Sequence, residues 1–279
     1  MLRRRRPALA ALAALLACAS LAGCGSAAAE GSIVTKAQDS GQLTIGVRFT
    51  QPGLSERTLD GRFVGFDIDV ARFVAAQLGV DRNDIIWRDV LAGDREKALS
   101  AGTVDLVIST YSITEKRKKR VLFAGPYFVT GQSVLVRLST TDITGPDSLD
   151  GKKLCSVAGT TSAEEVKRRF SQRVRLVEYP RDPDCVTALL AGLVDAVTTD
   201  EAILAGYVAQ HPELLKVVGE QFSEERYGIG LQRDDVDGRR AVNAALQEMI
   251  DSGEWRRSVQ RHLGRSGIRI PDPPPITER

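Results

Sequence analysis

The chain has 279 residues, a length that suits one large domain or two of ordinary size. It carries 38 Lys and Arg, 36 Asp and Glu and two His, so its formal net charge at pH 7 is only +2. This balance offers no excess of positive charge for a nucleic-acid partner. The sequence shows no metal-ligand spacing and no nucleophile triad, and we expect neither a metal nor another cofactor.

The N-terminal segment has the parts of a secretory signal. Four arginines at positions 3–6 precede an apolar run that is too short to span a bilayer, and small residues follow it. Residues 21–24, LAGC, resemble the lipobox of bacterial lipoproteins, in which the cysteine after the cleavage site receives a diacylglycerol. We expect a lipoprotein signal peptide over 1–23, a lipid on Cys24 and a flexible tether over 24–40. The alternative is an ordinary cleaved signal with an incidental cysteine.

Two cysteines remain after these assignments. Cys18 leaves with the signal and Cys24 is the lipid site, which leaves Cys155 and Cys185. In an oxidising compartment we expect one disulfide between them, and two buried free thiols are the alternative. Loss of the four signal arginines also reduces the 38 basic residues to 34, against 36 acidic residues. The mature chain is therefore close to neutral.

Strand-like and helical patterns alternate along the mature chain. The first run predicts strand 43–47, helix 67–79, strand 84–89, helix 94–102 and strand 104–109. The second run predicts strand 153–157, a helix from 162, strand 174–179, a helix from 182, strand 194–198 and a helix from 200. Between the runs, 131–136 and 226–231 are strand-like, and helical patterns follow at 235–253 and 254–264. This order predicts two α/β lobes, each with a mostly parallel sheet flanked by helices.

The predicted lobes are discontinuous in sequence. Lobe 1 comprises 41–132 and returns over 228–265, lobe 2 comprises 133–227, and a loose proline-rich tail occupies 266–279. One helix-to-strand step occurs in both lobes, as AGTVDLVIST at 101–110 and AGLVDAVTTD at 191–200. Ligands in open α/β sheets bind beyond the carboxyl ends of the strands. The hydroxyls that end the first copy and the carboxylate that ends the second are therefore candidate ligand contacts.

Several motifs resemble those of the family 3 extracellular solute-binding proteins, the polar amino-acid receptors of ABC importers. GFDIDV at 65–70 is similar to the family signature, TYSITEKR at 110–117 to its main ligand-binding segment, and FAGPY at 123–127 to the sequence that follows it. The resemblance extends from about residue 41 to residue 264. It implies a two-lobed periplasmic-binding-protein type II fold, in which two crossover strands join the lobes and the lobes close on an amino acid.

The family's contacts to the main-chain groups of the ligand can be transferred to matching positions. The resemblance implies that Arg117 grips the α-carboxylate, helped by Ser112 and by Thr160 and Thr161 in front of a helix start. It also implies that Asp200 accepts the α-ammonium. The alternative for Asp200 is a helix N-cap and nothing more.

The remaining candidates concern the ligand's side chain. Arg48 and Arg95 match positions at which receptors for acidic amino acids carry cations, so the resemblance implies a carboxylate on the ligand; otherwise both are solvated surface arginines. Thr110 adds a hydroxyl, and Tyr227 at the second crossover either lines the pocket or packs in the hinge. QPGL at 51–54, together with the two cysteines, most resembles the glutamate-binding lipoproteins of high-GC Gram-positive bacteria.

The sequence therefore predicts a monomeric, lipid-anchored receptor on the outer face of the cell membrane. It binds glutamate or aspartate and delivers it to an ABC permease and its ATPase, without catalysis. The alternatives are a receptor for glutamine, asparagine or another polar amino acid, a dehydratase-like enzyme on the same fold, and a sensor that reports occupancy to a membrane partner. The two histidines, His211 and His262, lie outside the segments that should face the cleft, which argues against the enzyme.

Overall fold

A computed structural model describes residues 31–169 and 173–279. The predicted signal peptide over 1–23, the lipidation of Cys24 and the first part of the predicted tether lie outside the described residues. Among the residues that are described, no helix combines the length and the apolar character that crossing a membrane requires.

Helices and strands alternate through both lobes. Up to the first crossing they are α1 (Ile33–Ser40), β1 (Leu43–Val47), β2 (Thr50–Gln51), β3 (Ser55–Arg57), β4 (Phe63–Val64), α2 (Phe66–Gln77), β5 (Ile85–Asp89), α3 (Arg95–Ser100), β6 (Leu106–Val107), α4 (Glu115–Lys118) and β7 (Leu122–Thr130). Beyond it they are β8 (Gln132–Arg137), β9 (Lys153–Val157), α5 (Ser162–Arg169), β10 (Arg175–Tyr179), α6 (Asp182–Leu190), β11 (Ala196–Asp200), α7 (Glu201–Gln210), β12 (Leu215–Val218), β13 (Glu225–Leu231), α8 (Val236–Asp251) and α9 (Glu254–Leu263).

Each lobe is built on one five-stranded sheet, and the two sheets have the same mixed topology. The first has the order β5-β1-β6-β13-β7, and the second has the order β10-β9-β11-β8-β12. In each sheet four strands run in one direction and one runs antiparallel to them, namely β13 in the first sheet and β8 in the second. Strands β2, β3 and β4 form a separate small antiparallel sheet, which the sequence patterns did not predict.

The chain passes between the sheets twice. Strand β7 belongs to the first sheet and β8 to the second, and the chain returns from β12 in the second sheet to β13 in the first. The two segments predicted as extended crossovers are thus strands in the structure, one in each sheet. The predicted two-lobed α/β fold with two crossover strands is confirmed.

The two lobes are stabilised in different ways. Lobe 1 contains an aromatic cluster in which Phe66 and Trp255 meet edge to face, with ring centroids 5.8 Å apart, and Tyr127 and Phe128 pack against them. In lobe 2, Cys155 on β9 and Cys185 on α6 form a disulfide with Cα atoms 5.6 Å apart. The predicted disulfide is confirmed, and it joins a strand to the helix that covers it.

The segment predicted as a flexible tether includes a helix. Helix α1 begins after Ser32, whose side chain accepts a hydrogen bond from the backbone N–H of Val34, and it ends at Gly41, which adopts a left-handed φ of 66°. Ile33 and Ala37, one turn apart, are buried against lobe 1. The tether prediction is therefore wrong from residue 33 onward, because contacts with distant residues of lobe 1 hold this short segment as a helix.

The C-terminal tail is bound to lobe 1 over its last residues. The backbone N–H groups of Thr277 and Glu278 both donate to the carbonyl of Gly125, at 2.9 and 3.0 Å, and Asn243 donates to the carbonyl of Glu278 at 2.6 Å. Pro274 is buried. The prediction of a loose tail is wrong, because these backbone contacts and isolated apolar residues hold a segment that lacks secondary structure.

Candidate functional site

A buried cleft lies between the lobes at the carboxyl ends of their parallel strands. Most of the residues predicted to bind a ligand line this cleft, namely Arg48, Arg95, Thr110, Ser112, Arg117, Thr160, Thr161 and Asp200. Tyr227 is fully buried behind the cleft and does not line it. Gln51, Ser109, Asp182 and Thr199 also line the cleft, although the sequence patterns did not single them out.

Arg117 bridges the two lobes through backbone carbonyls. It lies on the short helix α4, where Thr114 accepts a hydrogen bond from its backbone N–H. Its guanidinium Nη1 donates to the carbonyl of Ser112 at 2.7 Å, and Nη2 donates to the carbonyl of Gly159 in lobe 2 at 3.3 Å. Its Nε atom also lies 3.6 Å from Oε1 of Glu96 in lobe 1, so contacts with both lobes fix the side chain at the cleft wall.

Arg48 follows β1 and is only 2% exposed. Its Nη2 atom lies 3.0 Å from Oδ2 of Asp182, which is the first residue of α6 in lobe 2. The Nε atom of Arg48 is buried and has no hydrogen-bond partner in the described structure. Arg48 is thus a buried cation that is partly neutralised across the cleft and retains a free donor.

Arg95 is also buried, but its hydrogen bonds go only to backbone carbonyls among the described residues. Nε donates to Ala92 at 2.9 Å and Nη1 to Ser109 at 3.3 Å, while the guanidinium lies 4.2 Å from the ring centroid of Tyr111. Burial, followed by the nearby cation of Arg117, lowers the pKa of Arg95 to about 9. Arg95 is therefore a buried cation that has no carboxylate partner at hydrogen-bond distance among the described residues.

Thr110 has a backbone φ of 45°, the only left-handed value at a described residue other than glycine. Its N–H donates to Oδ2 of Asp67 at 2.9 Å, and its hydroxyl donates to Gln51 at 3.3 Å. Asp67 is fully buried beneath the cleft, and burial raises its pKa to about 6. Thr110 and Gln51 both line the cleft, and backbone strain of this kind is typical of ligand sites.

The lobe 2 wall carries hydroxyl groups and a carboxylate. Thr160 and Thr161 lie in the turn between β9 and α5, and the hydroxyl of Thr160 donates to the carbonyl of Val157 at 2.7 Å. Asp200 lies at the end of β11, where the hydroxyl of Tyr227 donates to its Oδ2 at 2.6 Å. Burial, followed by the negative charge of Glu225, raises the pKa of Asp200 to about 8. Tyr227 thus acts on the cleft by orienting Asp200.

The charges of the cleft are divided between the lobes. Lobe 1 contributes three guanidinium groups, from Arg48, Arg95 and Arg117, whereas lobe 2 contributes the carboxylates of Asp182 and Asp200. A molecule that carries both an anion and a cation can therefore bridge the two walls. Within the described residues, no group of three or more His, Cys, Asp or Glu side chains is arranged to hold a metal ion.

The two walls approach each other closely at their backbones. Gly93 of lobe 1 faces Gly159 of lobe 2, and a Cβ atom on Gly159 would lie 2.5 Å from the Cα atom of Gly93. At the cleft rim, Arg181 of lobe 2 pairs with Asp89 of lobe 1 at 2.5 Å. The cleft is therefore in a closed arrangement, in which both walls can contact one small molecule at once.

Residues 43–265 match the model of a family described as bacterial extracellular solute-binding proteins, family 3. The chain belongs to this family. The family match spans both lobes, and it ends just before the bound C-terminal tail.

Several relatives of this family 3 solute-binding protein have names that state a ligand. The glutamate-binding protein GluB of Corynebacterium glutamicum is 39% identical over 249 residues, which cover 86% of this chain and 84% of that protein. A glutamine-binding protein of Geobacillus stearothermophilus is 36% identical over 200 residues, which cover 71% of this chain and 76% of the relative. Among solved structures, an ancestral arginine-binding protein bound to arginine superposes with a TM-score of 0.75 at 34% identity, covering 80% of this chain and 99% of that one.

Proposed function

We propose that the protein is an extracytoplasmic receptor that binds an acidic amino acid, glutamate or aspartate, between its lobes and delivers it to an ABC permease for import. The observation that carries this proposal is the buried guanidinium of Arg95, which stands beside Arg48 and has no carboxylate partner among the described residues. A buried cation without a counter-ion costs folding free energy. A ligand that brings a carboxylate removes this cost, whereas a cationic ligand increases it.

In this proposal Arg117 holds the α-carboxylate, and Asp200 accepts the α-ammonium. The hydroxyls of Ser112, Thr160 and Thr161 complete the contacts to the carboxylate. Charge-assisted hydrogen bonds of about 1.5–3 kcal/mol each are sufficient for a dissociation constant near or below about 1 μM, once the ordering of ligand and protein is subtracted. The corynebacterial relative named as a glutamate-binding protein supports the choice of ligand.

The neutral amides glutamine and asparagine are the second candidate. The Arg48–Asp182 pair presents one donor group and one acceptor group side by side, which matches the two ends of an amide. The relative named as a glutamine-binding protein supports this candidate. Arginine fits less well, because its side chain would place a further cation near Arg48 and Arg95.

Isothermal titration calorimetry of the mature domain with glutamate, aspartate, glutamine, asparagine, arginine and histidine tests the proposal. We expect the acidic ligands to bind most tightly. Arg95→Gln should weaken acidic ligands by about 10- to 100-fold and affect the amides less, and Arg48→Gln should weaken acidic ligands by a similar factor. Arg88→Gln, at an exposed position on β5, is the matched control. Unchanged preference for acid over amide in both cleft variants would contradict the assignment.

The remaining parts of the proposal concern the membrane and the transporter. Cys24 is proposed to carry the lipid, so Cys24→Ser should release the protein from the membrane fraction of the expressing cell. Delivery to a permease is tested by ligand uptake with and without this protein in cells that contain the transporter. Product analysis after prolonged incubation with each ligand tests for turnover, and we expect none.

A further inference from the structure

Asp182 occupies a position in the cleft that the proposed clamp on the ligand's main-chain groups does not use. It begins α6 in lobe 2, and only 6% of its side chain is exposed. Its Oδ2 atom accepts from Arg48 at 3.0 Å and from Gln51 at 3.4 Å, and both partners belong to lobe 1. Asp182 is therefore a buried carboxylate that already faces the cations assigned to the ligand's side chain.

We infer that Asp182 determines how far the receptor discriminates between acidic and amide side chains, because it acts as a resident counter-ion of Arg48. The inference rests on the proposed function, in which Arg48 and Arg95 face the distal end of the ligand. It assigns to lobe 2 a residue for side-chain specificity, in addition to Asp200, which is assigned to the ammonium.

The first argument concerns an acidic ligand. Its distal carboxylate must approach Arg48 and Arg95 while Asp182 remains close to Arg48, so two carboxylates share the same guanidinium groups. Like charges in a desolvated site repel each other, and this repulsion lowers the affinity for the acid. The two cations outnumber the one resident carboxylate, so the acid still binds.

The second argument concerns an amide ligand. Its oxygen can accept from the free Nε of Arg48, while its NH₂ group can donate to the second oxygen of Asp182. The Arg48–Asp182 pair then remains intact, and no charge is added to the cleft. Asp182 thus weakens acidic ligands and supports amide ligands, and both effects reduce the discrimination between them.

The test removes the negative charge of Asp182 and retains the shape of its side chain. In Asp182→Asn, the side-chain oxygen still accepts from Arg48, whereas the new NH₂ group faces the ligand and can donate to a carboxylate. Titration calorimetry should show glutamate binding about tenfold more tightly and glutamine binding more weakly than in the wild type. Asp182→Ser removes the charge by a different side chain, and it should shift the ratio of the two dissociation constants in the same direction.

Asp184→Asn is the matched control. Asp184 lies in the same first turn of α6 and carries the same charge, but it does not line the cleft. Thermal unfolding without ligand confirms that each variant is folded. A shift toward acid in both Asp182 variants and not in the control supports the inference. An unchanged ratio, or an equal shift in the control, overturns it. If the wild type binds neither acids nor amides, the proposed function itself fails, whatever the variants show.

Discussion

The two walls of the cleft differ in the sign of their charge and in how that charge is held. On lobe 1, Arg95 and Arg117 are fixed largely by backbone carbonyls, whereas Arg48 pairs with Asp182 of lobe 2. On lobe 2, Asp182 is the first residue of α6 and Asp200 directly precedes α7, positions at which helix dipoles stabilise anions. The cleft charges of each wall are largely of one sign, with Glu96 beside Arg117 as the exception on lobe 1. Only the closed arrangement brings the opposite charges together, so a zwitterion between them stabilises closure.

The lobes also differ in what makes them rigid. Lobe 1 has the large aromatic cluster, to which Trp255 adds a hydrogen bond to the carbonyl of Tyr127 at 2.7 Å, and it binds the C-terminal tail. Lobe 2 has a smaller separate apolar cluster and the disulfide. We therefore expect substitutions in the cleft wall of either lobe to affect mainly ligand affinity. Substitutions in the aromatic cluster, the bound tail or the disulfide should affect mainly stability.

Arg117→Ala should have the largest effect on binding. The variant removes the proposed partner of the α-carboxylate and the contact with Gly159 of lobe 2. Loss of one partner of a buried charged pair costs about 2–5 kcal/mol, so affinity for every amino-acid ligand should fall by about 30- to 4000-fold. Calorimetry measures this loss. Arg120→Ala, at an exposed position in the same segment, should leave affinity unchanged. A loss of less than about tenfold in Arg117→Ala would remove Arg117 from the clamp.

Removal of the disulfide should have the next largest effect, and on stability alone. The bond closes a sequence separation of 30 residues, and the chain-entropy model gives about 3–4 kcal/mol for a loop of this size. Cys155→Ser combined with Cys185→Ser should lower the free energy of unfolding by this amount in denaturant titrations. Ligand affinity at a temperature well below the transition should change by less than about threefold, because neither cysteine lines the cleft. A large loss of affinity with unchanged stability would contradict the assignment of the disulfide to stability and not to binding.

The contrast between the walls could be predicted only in part from the sequence. Thr110 and Asp200 end the two copies of the repeated helix-to-strand step. Strand direction therefore predicts that both residues lie at the cleft. Asp182 precedes a proline at a helix start, where an acidic residue is common for local reasons. Its pairing with Arg48, which lies 134 residues away, exists only in the folded chain.

The fold, like the cleft, could be predicted only in part from the sequence. Long periodic helices and buried parallel strands were predictable because their apolar spacing repeats over many residues. The small sheet of β2, β3 and β4 was not, because two of its strands contain only two residues each. Helix α1 and the tail were missed because their attachment depends on contacts with distant residues, among them Asp235 and Gly125.

Deletion of residues 273–279 should produce a smaller loss of stability that is confined to lobe 1. It removes the backbone hydrogen bonds to Gly125, the contact with Asn243 and the ion pair between Glu278 and Lys118 at 3.0 Å. At about 0.5–1.5 kcal/mol for each hydrogen bond, less the entropy of the freed tail, we expect a loss of about 2 kcal/mol. Thermal unfolding measures it. Glu278→Gln removes only the ion pair and should cost less than about 1 kcal/mol, because Lys118 is partly exposed. An unchanged melting temperature after the deletion would mean that the tail does not hold lobe 1.

A change of one pH unit should give the smallest effect, and it addresses lobe 2 directly. In the free protein, burial and Glu225 raise the pKa of Asp200 to about 8. The proposed ammonium contact requires the ionised carboxylate, so binding below this pKa must release a proton. Affinity should therefore be fully developed above about pH 8 and fall by up to tenfold for each pH unit below it, which is about 1.4 kcal/mol per unit.

The groups that act on Asp200 from the neighbouring elements are Glu225, Tyr227, Arg117 and Asp182. Burial also raises the pKa of Asp182, and its protonation favours an acidic ligand, so its contribution has the opposite sign. The contribution of Asp200 is therefore the difference in the pH dependence of affinity between the wild type and Asp200→Asn, because Asp182 is present in both proteins. The variant should bind more weakly at pH 8 and lose the decline toward pH 6, and calorimetry in buffers of different ionisation enthalpy should show that the released proton has disappeared. If affinity depends on pH with the same slope in both proteins, Asp200 does not bind the ammonium. The negative charge of lobe 2 would then stabilise the closed arrangement without contacting the ligand.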